Sequence, residues 1–136
     1  MTATIRLAIP RNLLLTSNQR IHYMKKARHT SAIREMAYVM ARFERPAKMQ
    51  AATCEVEVIW PDNRQRDCLN LEPTIKACLD GIIGDDTAKN KRVSYRLLPS
   101  DSDQHLRSVK TYASERRIKV EGIACYLKFR FTEVTP

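Results

Sequence analysis

Asp67, Glu72, Lys76, Asp85 and Asp86 are the side chains in this sequence whose types and spacing suggest work on a phosphate. Carboxylates are hard oxygen donors, and Mg²⁺ binds through one or two of them while keeping several waters. A cation held in this way activates an attacking water and offsets the charge that develops on a phosphate. Hydrolysing a phosphodiester requires a barrier reduction of roughly 20 kcal/mol, more than side chains alone usually supply. Spacing nevertheless argues against a single site. Asp67 falls before a helix and Asp85-Asp86 beyond its far end, about 15 Å away for a straight helix at 1.5 Å per residue. Only a chain that turns back after Gly84 closes that gap. The plainer roles are an Asp67 that caps or turns its loop, an Asp85-Asp86 pair that solvates another loop, a Glu72 that caps beside Pro73, and an Asp80 paired with Lys76 at i, i+4.

Periodicity gives the elements that must position these groups. Residues 3–9 alternate, with Ile5, Leu7 and Ile9 on one face, and read as a strand ended by Pro10. From about Gln19 to Phe43 neither Gly nor Pro occurs, and Ile33, Met36, Ala37 and Met40 mark the apolar stripe of a long helix. Residues 53–60 alternate again. The charged segment PDNRQRDCLN follows, then a helix with Pro73 just inside its start and a stripe of Ile75, Cys78, Leu79, Ile82 and Ile83, stopped by Gly84. Further strands are expected at 92–98 and 123–131, while 99–117 is polar, with room for a short helix. The order β-α-β-α-β-β predicts one α/β (α+β) domain over residues 1–136, a mixed four-stranded sheet with its helices packed on one side.

The formal net charge of +9 and pI near 9.7 fit a polyanionic partner, nucleic acid first. Arg20, Lys25, Lys26, Arg28 and Arg34 cluster in the first helix and the loop before it, and Arg64 and Arg66 flank Asp67. These cations are expected to contact phosphates. His22 and His29 read as helix-surface or DNA-contact residues, and Tyr23 and Tyr38 as packing. The four cysteines include no C-x-x-C pair, which argues against zinc and for reduced, mostly buried thiols in a cytoplasm. No apolar run approaches the ~18 residues of a membrane span, and the N-terminus lacks the apolar core of a secretory signal.

The run from Pro61 to Asp86, PDNRQRDCLNLEPTIKACLDGIIGDD, resembles the signature of the RusA family of Holliday junction resolvases: P-D-x-R-x-R-D-x-D-N, a helix bearing K-A-x-x-x-D, then D-D. Upstream, LLTSNQRIHYMKKARHTSAIR is similar to the family's S-N-x-R stretch and basic helix, and P-T-I-K-A-C-L-D-G is closest in style to actinobacterial phage members. The resemblance covers roughly residues 3–98. It implies a mixed α/β homodimer that uses Mg²⁺ or Mn²⁺ to nick four-way junctions symmetrically in recombination and repair. By position, Asp67 matches the first motif aspartate, Asn70 the asparagine and Asp86 the second aspartate of the closing pair. Lys76 matches the helix lysine once three extra residues are allowed. The implied metal ligands are Asp67 and Asp86, with Asp85 or Glu72 assisting. Lys76 is implied for phosphate charge, and Asn18, Arg20, Lys25, Lys26, Arg28, Arg64, Arg66 and Asn70 for DNA.

One position departs from the pattern: Leu69 stands where the family has its second aspartate. Three explanations follow. Glu72, four residues before Lys76, replaces that carboxylate; or Asp67, Asp86 and waters suffice, with Asn70 or Asp85 assisting; or the protein binds junctions without cutting. A flap or replication-fork nuclease is a further alternative.

Overall fold

The computed structural model describes residues 1–84 and 94–135. Its element order is β1 (Thr2–Pro10), α1 (Tyr23–Glu44), β2 (Ala52–Trp60), α2 (Glu72–Ile82), β3 (Leu106–Arg117) and β4 (Ile123–Glu133), with short 3-10 turns at Arg11–Leu13 and Cys68–Leu71. The four strands form one sheet in the order β1-β4-β2-β3. β4 runs antiparallel to both β1 and β2, whereas β2 and β3 are parallel. Parallel neighbours need a crossover connection, and the segment carrying α2 supplies it.

Alternation along the strands creates the core. Ile5 and Val56 both pair with Phe129, and Leu7 and Val58 both pair with Leu127. Directly opposed side chains share a face, and all of these are 2 % exposed or less. Ile33, Ala37 and Ala41 of α1, with Ile75, Cys78, Leu79 and Ile82 of α2, cover that face. On the other face Arg6, Glu55 and Arg130 are exposed, so the helices lie on one side, as the alternation predicts. Gly81 sets the distance between the helices: a Cβ there would stand 2.2 Å from the Arg34 carbonyl oxygen of α1.

The third strand lies later than its expected position. Residues 94–98 are irregular, and residues 92 and 93 fall outside the described residues. Leu97 and Leu98 are both fully buried, which a half-buried strand with alternating faces cannot do. They are held by Tyr95 N–H on the Gly81 carbonyl (2.9 Å), Leu97 N–H on the Ile82 carbonyl (3.1 Å) and Met49 N–H on the Leu97 carbonyl (2.9 Å). The strand forms instead from LRSVKTYASERR, inside the polar stretch that admitted a short helix. As an edge strand it buries only Leu106 and Ser114, and its backbone pairing with β2 takes the place of an apolar face. α1 begins at Tyr23 rather than Gln19, because Ser17 to Gln19 are taken into a turn. The end of α2 follows expectation, Gly84 having φ +104°.

Candidate functional site

The charged segment after β2 and the segment before α1 are remote in sequence and bonded to each other in the fold. Ser17 N–H donates to the Asn70 carbonyl at 2.9 Å. Two residues earlier, Leu15 N–H donates to Thr74 Oγ1 (3.0 Å) and the Thr74 hydroxyl donates back to the Leu15 carbonyl (2.7 Å), both buried. Buried polar groups carry a large penalty unless paired, so this reciprocal pair fixes residues 15–17 against the first turn of α2. Asn18 and Arg20 emerge from that anchor exposed. Lys25, Lys26 and Arg28 follow, also exposed, on the opening turns of α1. His22 caps that helix, its Nδ1 accepting from Met24 N–H at 3.2 Å, and stacks on Tyr23 at 4.6 Å between ring centres. His29 is half-buried.

Asp67 is exposed and caps the 3-10 turn, Oδ1 accepting from Leu69 N–H at 2.9 Å. That is the plain capping role, and it engages one of the two carboxylate oxygens. Leu69 is 74 % exposed, so a leucine there serves no core. Leu69, Glu72 and Lys76 line one groove of about 480 Å³ with Val109 and Thr111 of β3. The four-residue spacing therefore does bring Glu72 and Lys76 to a common surface. No side chain caps the start of α2, whose N-cap is Leu71.

Lys76 is not a free cation. Its Nζ lies 3.0 Å from Asp80 Oδ1, the expected i, i+4 pair, and 2.8 Å from Asp101 Oδ2. Burial alone would depress the Lys76 pKa, but hydrogen bonds to Asp101 and Asp80, with the charges of both, outweigh it and raise it above the ordinary lysine value. Sequence reasoning missed Asp101. It sits in the segment after Leu98, and only the fold carries it back across 25 residues to α2. Local periodicity held no signal for it.

Arg66 is also engaged, bonded to Asp62 at 2.6 Å and placed over the Trp60 ring with its guanidinium carbon 4.9 Å from the centroid. Hydrogen bonds from Arg66 and from the Arg64 backbone hold the Asp62 carboxyl down to about 2. Arg64 is exposed. All four cysteines are free, and Cys54, Cys78 and Cys125 are buried. Burial pushes the thiols of Cys54 and Cys125 up to about 12, so they stay protonated and unreactive at neutral pH.

Asp85 and Asp86, expected as ligand and helper, lie outside the described residues. Among the described residues no group of three or more His, Cys, Asp or Glu side chains is gathered closely enough to hold a metal, and no helix is long and apolar enough to cross a membrane. The donors present at the candidate site, the Asp67 and Glu72 carboxylates, are of the oxygen type that suits Mg²⁺ rather than zinc. Compared with known proteins, the sequence matches no family model and no curated protein.

Proposed function

We propose that this protein is a Mg²⁺-dependent endodeoxyribonuclease of RusA type that cuts four-way DNA junctions. The observation that carries the reading is the bonded contact of the two segments on which the resemblance rests. Through Ser17–Asn70 and Leu15–Thr74, the exposed Asn18-to-Arg28 stretch is tethered to the loop and helix bearing Asp67, Asn70, Glu72 and Lys76. A second observation agrees with it. α1 has no acidic residue in its first turn and carries Lys25 and Lys26 there. Cations at the positive end of a helix cost stability, and a DNA phosphate offsets that cost.

In this reading Asp67, with Asp86 and one helper carboxylate, would hold the ion, which when bound supplies Lewis-acid and water-activating chemistry. The protein's own residues grip and orient the DNA. Arg20, Lys25, Lys26, Arg28 and Arg64 take phosphates, Asn18 and Asn70 fix the strand, and Lys76 neutralises charge once DNA draws it from Asp80 and Asp101. A two-fold dimer would present one such site to each of two opposed strands of a junction.

A second reading, junction binding without cutting, is favoured by Leu69 at the motif position and by the occupied ammonium of Lys76. Incubation with a synthetic four-way junction decides between them. Paired nicks that require Mg²⁺, are abolished by EDTA and are absent on linear duplex support the enzyme. A retarded but intact junction supports the binder, and no junction preference sinks both.

A further inference from the structure

A cavity of about 540 Å³ opens at the end of the sheet where β1 and β2 stop and β4 begins. Backbone bonds fix its walls. Arg11 N–H donates to the Gly122 carbonyl at 2.8 Å, and Ile118 N–H donates to the Trp60 carbonyl at 3.2 Å. The turn between β3 and β4 is thus tied to the ends of both β1 and β2. Its charged lining is Arg11, Arg64, Arg66 and Lys119 against Asp62 and Glu121. Asp62 is already committed to Arg66, so the remaining field favours an anion. Pro61 and Val120 add an apolar wall that a bare phosphate would not use, and Trp60, only 7 % exposed, lies beneath the Arg66 guanidinium.

Small-molecule sites typically span about 300–1,000 Å³, so this cavity accommodates one nucleotide and excludes a duplex. The Arg66 guanidinium over Trp60 offers a planar cationic surface of the kind on which unpaired bases stack. We propose that the cavity takes a single unpaired nucleotide, with its phosphate on Arg11 and Lys119 and its base on the Arg66 guanidinium that covers Trp60. The same chemistry is offered by a free mononucleotide and by an unpaired nucleotide of a DNA strand. The DNA source rests on the nuclease reading: residues 61 to 66 lead straight into Asp67, so a nucleotide lodged here would flank the cut. Branch points, where bases unpair readily, would then be preferred over continuous duplex.

Trp60 is the only tryptophan in the chain and lies under Arg66 at the cavity wall, so its fluorescence responds when Arg66 is engaged there. The intact protein in EDTA is titrated with a short oligothymidylate single strand, with thymidine monophosphate, with inorganic phosphate and with a blunt duplex. The single strand should change Trp60 emission saturably, the mononucleotide more weakly, and phosphate or duplex hardly at all. Arg11→Ala with Lys119→Ala, both at exposed side chains, should weaken the single strand about tenfold, as lost charge-assisted bonds do. Mononucleotide binding as tight as the strand would support the cavity with a free nucleotide as its occupant. An unchanged emission, an equal response to phosphate or duplex, or a double variant that binds normally would overturn the proposal. Because the assay is metal-free, the two readings fail separately. Junction cutting without a Trp60 response removes the cavity proposal alone, and a Trp60 response without cutting removes the nuclease alone.

Discussion

Leu69 is the residue where the candidate site departs furthest from the pattern it resembles, and its 74 % exposure makes it a clean place to intervene. An aspartate there buries no charge, so Leu69→Asp should leave thermal stability within about 0.5 kcal/mol, the usual range for surface changes. If the native site is one ligand short, single-turnover cleavage should rise; an unchanged rate would mean that the carboxylate comes from elsewhere. Glu72→Gln is the companion test. With no side-chain cap at the start of α2, the change should leave unfolding nearly unmoved. It should reduce Mg²⁺-dependent cleavage by orders of magnitude if Glu72 is the relocated ligand, and a normal rate ends that idea. Asp62 allows a prediction in pH. Its carboxyl is held below the ordinary 3.8, down to about 2. A depressed folded-state pKa contributes stability that is present above the unfolded value and lost as pH falls from about 3.8 to 2. An NMR titration should place the Asp62 midpoint near 2, and Arg66→Ala should return it toward 3.8.

Among the elements, strong one-sided patterns are legible in the sequence and pairing-dependent ones are not. Ile75, Cys78, Leu79, Ile82 and Ile83 announced α2, and the alternation in β1, β2 and β4 gave three strands within a residue or two. β3 was missed because an edge strand can be stabilised by backbone bonds to its neighbour, and LRSVKTYASERR has no apolar face to detect. Leu97 and Leu98 misled for the opposite reason. They look strand-like in sequence but are buried by pinning to the end of α2. The candidate site divides the same way. The Lys76–Asp80 pair follows from helical spacing, whereas Asp101 is joined to Lys76 only by tertiary folding. The α1–α2 crossing carries its own prediction. Gly81→Ala would press a methyl against the Arg34 carbonyl oxygen (2.2 Å) and the Tyr38 amide (3.0 Å). Helix propensity alone would favour alanine, so a loss of about 1–3 kcal/mol in chemical unfolding is the signature of forced separation. A neutral or stabilised variant would mean the helices do not cross here.

Taking the molecule as one body, a net charge of +9 and an exposed basic stretch tethered to the Asp67 loop would make the proposed DNA binding an ionic event. Each phosphate neutralised on duplex DNA contributes about −0.9 to the slope of log affinity against log salt. Junction affinity should therefore fall steeply with salt, and Lys25→Ala with Lys26→Ala should flatten the slope by roughly two units. A slope near zero in the unmodified protein would exclude a phosphate backbone as the partner. On the proposed function Asp67 belongs to a metal-dependent junction-cutting site rather than only to a capped turn, and Asp67→Asn separates the two roles. Asparagine is as good an N-cap as aspartate, so the fold and the Leu69 contact should survive while a metal ligand is lost. The direct measurement is strand-resolved mapping of a four-way junction in Mg²⁺ with the native protein and Asp67→Asn side by side. The native protein should leave paired symmetric nicks, and the variant an uncut junction bound at least as tightly. Near-normal nicking by Asp67→Asn, or an uncut junction with the native protein, would contradict it.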